Sequence, residues 1–111
     1  HFALGPGFLH QVYRRATMIE LHHQRIPYEY IKQVPIYYDQ HHLGNQPARL
    51  IAVDEKILLA AIAVRELDDS WREMLKARLR FLGYRLGFLA NFHGTTLQIV
   101  PVRIRSIPNS L

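Results

Sequence analysis

Residues 57–64 read "ILLAAIAV", eight consecutive side chains without a polar atom. This run decides the architecture. It is too short for a typical core helix and suits a central strand covered on both faces. Immediately upstream, Asp54-Glu55 makes a tight turn, and "PARLIAV" (47–53) reads as the strand leading into it. Further back, "PYEYIKQVPIYYDQHHLGNQ" (27–46) is rich in Tyr, Ile and Val. It reads as two strands followed by a loop at Gly44-Asn45.

Downstream, "ELDDSWREMLKARLRFLG" (66–83) is a helix, with Asp68, Asp69 and Ser70 available to cap its start and Gly83 to end it. "YRLGFLANF" (84–92), a turn at His93-Gly94 and "TTLQIVPVRI" (95–104) give two closing strands, and "RSIPNSL" (105–111) is loop-like. At the other end, a Gly-Pro-Gly turn at 5–7 precedes a helix that should stop before Pro27. Phe8, Val12, Ala16 and Ile19 fall on one face of that helix, flanked by Leu9 and Tyr13, with His10, Arg14 and Thr17 beyond one edge. The order is helix, three or four strands, helix, two strands: an α/β domain with a mixed sheet.

A chain of 111 residues fits one domain and can bury a core without staples. Half its residues are apolar or aromatic, as in a globular protein and unlike a disordered one. With no cysteine, disulfides and thiolate zinc sites are excluded, and a reducing cytoplasm is compatible. The longest apolar run falls far below the roughly 18 residues that cross a bilayer, so no membrane partner is expected. Fourteen Lys and Arg against nine Asp and Glu leave a net charge of +5, which favours polyanionic partners such as DNA or RNA.

At "LGPGFLHQVY" (4–13) a family pattern emerges, continued by "RIPYEY" (25–30), "VPIYY" (34–38), "DEK" (54–56), "AVREL" (63–67) and "LGYRLGFLANF" (82–92). In these six pieces, in this order, the chain resembles the GxxExxY family, small bacterial proteins of the PD-(D/E)XK nuclease-like superfamily. The resemblance implies a restriction-endonuclease-like mixed sheet flanked by helices, with residues 1–111 as a single degenerate domain. Relatives carry a further helix ahead of "LGPG", which implies a missing or truncated N-terminal helix here. The family's activity is metal-dependent nucleic-acid cleavage, which needs clustered carboxylates for Mg²⁺ and a lysine beside the attacking water.

This chain departs from that pattern at every catalytic position. Gly7 and Tyr13 of the motif stand, but the intervening acid is His10. The strand aspartate is replaced by Leu50, the next-strand glutamate by Ala60 and its lysine by Ile62. Met74 and Arg78 take the places of a glutamine and a tyrosine on the second helix. Shifting the alignment by a residue does not restore the site, because nothing from Ile57 to Val64 ionises. The expectation is therefore a nuclease-like domain that is not an enzyme, with no catalytic residues, no metal site and no cofactor.

The remaining polar clusters have ordinary alternatives. Glu66, Asp68, Asp69 and Glu73 suggest either a metal site or a capped helix start, and the second is favoured because adjacent Asp68 and Asp69 do not converge. The pairs His22-His23 and His41-His42 lack chelating spacing and read as surface or loop residues. Arg78 is the informative cation. With Trp71 at zero on a helical wheel it falls at about 340°, inside the apolar arc, so it either pairs with an acid or faces an open groove. The family alignment turns it toward the groove.

Arg72, Lys76 and Arg80 form a separate stripe, either a phosphate track or a solvated face. The leading expectation is binding of DNA or RNA, with His10, Arg14 and Arg78 lining the old cleft. The alternative is a structural or interaction module for a protein partner or a second copy of the chain. Active hydrolysis ranks last, for want of acids.

Overall fold

A computed structural model describes residues 10–105. The Gly-Pro-Gly turn, Phe8, Leu9 and the chain after Arg105 lie outside the described residues. The elements run α1 (His10–His23), β1 (Tyr28–Tyr38), β2 (His41–Val53), β3 (Ile57–Ile62), α2 (Asp69–Leu82), β4 (Leu86–Asn91) and β5 (Gln98–Arg103). The five strands form one sheet in the order β1-β2-β3-β4-β5. Only β3 and β4 pair in parallel, joined by the α2 crossover; the other pairs are antiparallel. This is a restriction-endonuclease-like α/β arrangement, a mixed sheet with two helices.

The apolar run at 57–64 supplies the middle strand, which ends at Ile62, two residues short of the run's end. Successive side chains of β3 point to opposite faces. Leu58, Ala60 and Ile62 pack with Leu50, Ala52, Leu75, Leu79, Leu89 and Val102 under α2. Ala61 and the half-buried Leu59 and Ala63 pack with Tyr13, Ala90 and Phe92 on the α1 side. Tyr13 is fully buried and stacks on Phe92, with ring centroids 4.7 Å apart. The two helices thus occupy opposite faces of one strand, and any polar group placed on β3 would face a core.

Both helices end in the same way. Gly83, at φ 82°, terminates α2, and the N–H groups of Gly83 and Tyr84 both donate to the Leu79 carbonyl. Arg25 takes the left-handed role after α1 at φ 58°, and Ile26 N–H reaches back to the Leu21 carbonyl before Pro27.

Two local expectations need correcting. The Gly44-Asn45 loop is not a loop: both residues lie inside β2, opposite Ile36 and Pro35. The chain reverses earlier, at Asp39-Gln40, where two left-handed residues (φ 49° and 65°) close the two-residue hairpin between Tyr38 and His41. Gly44, at φ 138°, instead adjoins a bulge that leaves Leu43 unpaired. The last strand begins at Gln98 rather than Thr95.

The buried face of α1 also differs. Ile19 is 57% exposed, whereas Arg14, expected beyond the edge, is 8% exposed beside buried Tyr13. Tyr13 inserts against the sheet because it has Phe92 to stack on. Arg14 lies next to it, and its charged head turns into a cleft.

Candidate nucleic-acid interface

The first turns of both helices meet past the end of β3. His10 Nε2 lies 3.0 Å from the Ala63 carbonyl oxygen, and its ring sits 6.1 Å from that of Trp71 on α2. From this junction a cleft of about 780 Å³ opens between the helices and the β1–β2 hairpin. Its walls carry Arg14 and Arg15 from α1, Lys32 from β1, Arg49 from β2 and Arg78 from α2, and among the described residues no carboxylate lines it.

Each wall follows from local structure. Tyr30 and Lys32 are two apart on β1 and so share a face. Arg49 reaches the cleft from a second bulge in β2, where the register slips between Ile31–Leu50 and Gln33–Pro47 and Arg49 itself adopts φ 51°. Arg78 comes from the same side of α2 as Trp71 and Met74, which also line the space.

The charges in this cleft are poorly compensated. The guanidinium carbon of Arg14 lies 5.6 Å from the centre of the Tyr30 ring, a cation–π contact, and among the described residues no acid pairs with it. Arg78 Nε is buried and, among the described residues, has no hydrogen-bond partner. The ion pairs among the described residues lie elsewhere: His23–Glu20 at 3.8 Å, Lys56–Asp54 at 3.5 Å and Lys76–Glu73 at 3.5 Å.

His10, Arg14, Met74 and Arg78 are therefore brought together in one cleft. Leu50, Ala60 and Ile62 are not: they are 1%, 3% and 4% exposed and belong to the core beneath α2. Arg72, Lys76 and Arg80 do not reach the cleft either. Arg72 borders a small separate depression with Asp68 and Asp69, Lys76 pairs with Glu73, and Arg80 is exposed. Arg72 and Arg80 stand exposed on the outer side of α2, with Lys76 half-buried between them.

Sequence reasoning missed Arg15, Lys32, Arg49, Tyr30 and Trp71. Strand alternation linked Tyr30 to Lys32 and was available; no sequence signal marked the bulge that aims Arg49.

The donor set does not suit a divalent metal. Cations and apolar groups line the cleft, and among the described residues no three His, Asp or Glu side chains converge. Asp68 is instead the N-cap of α2. Its Oδ1 accepts from the Ser70 hydroxyl and, at 3.0 Å, from Ser70 N–H. The Ser70 hydroxyl is the main cause that holds this carboxyl below the usual carboxylate range, with smaller help from the backbone N–H groups of Ser70 and Trp71. His22 and His23 are exposed at the end of α1, and His42 bonds Asn45 at 3.2 Å in the hairpin.

No helix among the described residues is long and apolar enough to cross a membrane. No curated protein and no solved structure matches the chain. The family model of the PD-(D/E)XK nuclease superfamily matches residues 1–103, nearly the whole chain, over a fold of the corresponding kind. By that match the chain belongs to the PD-(D/E)XK nuclease superfamily.

Proposed function

We propose that this domain is a catalytically inactive, GxxExxY-type member of the superfamily that binds nucleic acid through the cleft. One observation carries the reading: among the described residues, five cationic side chains and no carboxylate line the cleft, beside the aromatic rings of Tyr30 and Trp71. Such a lining attracts a phosphate backbone, and exposed aromatic faces tolerate any base. Inactivity is supported by His10, Leu50, Ala60, Ile62 and Met74, which offer no carboxylate where a metal-dependent nuclease needs several. A cytoplasmic setting goes with a cysteine-free chain that meets nucleic acid.

The test is a titration of the full chain with labelled single- and double-stranded DNA and RNA across a salt series. Binding should be weakly sequence-selective, with log K falling linearly against log salt. Arg78→Ala should flatten the slope by about one unit, while Arg80→Ala should leave it unchanged. Equal effects of the two would point to a diffuse helix-face interaction. Absence of binding at low salt would remove the reading.

A second reading has its own support. Tyr37, Tyr38 and Leu43 are 58%, 73% and 64% exposed near the hairpin end, an apolar tip suited to a protein partner or a second copy of the chain. It would stand if nucleic acid failed to bind.

A further inference from the structure

We infer that Arg14 and Arg78 together form a discrete phosphate seat in which two guanidinium groups supply the counter-charge that a bound metal supplies in a nuclease. This deepens the nucleic-acid reading of the cleft and rests on it. The starting observation is energetic. Arg14 is 8% exposed with its guanidinium over the face of Tyr30, and among the described residues no acid pairs with it. Arg78 keeps its stem within the apolar arc of α2 and leaves Nε buried with no partner.

A buried charge without an acid destabilises the fold, and a desolvated N–H without an acceptor does so again. Two such groups from different helices lining one cleft are accounted for by an anion that binds between them. Guanidinium forks present paired N–H donors that match phosphate oxygens, and desolvation strengthens each charge-assisted bond. The flanking cations Arg15, Lys32 and Arg49 lie on the same walls and would hold neighbouring phosphates. No bond of the phosphodiester breaks, since the cleft holds no carboxylate to activate a water. The seat therefore works without a metal, and a chelator leaves it intact.

The seat is read directly from the arginine Nε–H resonances of ¹⁵N-labelled full-length protein in excess EDTA. Three probes separate the sources of phosphate: inorganic phosphate, a thymidine dinucleotide with only its internal phosphodiester, and the same dinucleotide carrying a 5′-phosphate. A single-stranded oligonucleotide provides the polynucleotide arm. The Arg14 and Arg78 signals should move saturably with the dinucleotides and the oligonucleotide, and the 5′-phosphate should add little. Arg78→Lys, which keeps the charge and loses the fork, should weaken binding by about tenfold with a melting temperature no lower than the wild type's.

Loss of the shifts on chelation would overturn the seat, as would equal affinity of Arg78→Lys. Oligonucleotide binding that leaves both resonances in place would overturn it too, while sparing the broader reading of the cleft. Saturable shifts with inorganic phosphate but no oligonucleotide binding would keep the seat and remove the nucleic-acid function.

Discussion

Restoring the family's strand residues, Ala60→Glu with Ile62→Lys, should unfold the domain rather than revive a nuclease. Both positions face the core under α2, where Ala60 is 3% and Ile62 4% exposed. Removing the buried isoleucine side chain forfeits roughly 2 kcal/mol of apolar burial. Each new charge then carries a desolvation penalty of several kcal/mol. The two side chains share a face of β3 and could pair with each other, but Leu50, the position that the family resemblance implies for an aspartate, offers no third partner.

The net loss is on the order of 5 kcal/mol, comparable with the whole stability of a small domain, about 5–15 kcal/mol. Trp71 is the sole tryptophan, so urea unfolding can be followed by its fluorescence. Ile62→Val is the control and should lose only about 1 kcal/mol. A double variant that kept the control's unfolding midpoint and cut DNA with Mg²⁺ would refute both the buried assignment and the proposed inactivity.

Gly87→Ala should lower the melting temperature, by about 1–3 kcal/mol of overpacking, because an added Cβ would sit 3.0 Å from both the Leu58 carbonyl oxygen and a Leu75 methyl. Asn91→Ala should be worth about 2 kcal/mol, read with amide exchange at Val64. That side chain accepts from Val64 N–H at 3.0 Å and donates to the Val64 carbonyl at 2.9 Å, fastening β4 to the chain as it leaves β3. Asp68, whose folded pKa is depressed chiefly by the Ser70 hydroxyl, contributes stability above its ordinary pKa and loses it as pH falls through the lowered folded value. Asp68→Asn should therefore flatten the acid limb of a stability–pH curve. Arg14→Met should raise the urea midpoint while weakening nucleic-acid binding, since it removes a charge that no described acid balances.

What the sequence disclosed follows from which forces are local. The apolar run of β3, the Asp68 cap and the Gly83 stop each act within a few residues, and each was readable. Arg78 was readable too, because the helical wheel put a cation where only core or cleft could receive it. The hairpin turn was hidden: Asp39-Gln40 adopts left-handed angles without a glycine, while Gly44, the apparent turn former, serves a bulge. Arg14 was hidden for a different reason. Periodicity favoured the apolar set ending in Ile19, and nothing within α1 announces that Tyr13 will find Phe92 and draw its neighbour inward. Arg49 depends on a register slip that only the pairing of β1 with β2 reveals.

The strand and the cleft therefore bear differently on stability, and that difference favours a binding role over a purely structural one. At Leu50, Ala60 and Ile62 the side chains present all add to the core, which folding alone accounts for. The cleft does the reverse. Arg14 and the Arg78 Nε are desolvated without acids, and Arg15, Lys32 and Arg49 add like charge around them. Apolar residues of similar volume in place of such groups would leave the free fold as stable or more so. On the proposed reading an entering anion relieves the repulsion among these cations, so the same residues that weaken the free domain should stabilise the bound one. The melting temperature should accordingly rise with oligonucleotide concentration in the wild type, and rise much less in Arg14→Met, which has already lost the strain that binding relieves. A rise of the same size in both proteins would place the anion elsewhere on the surface.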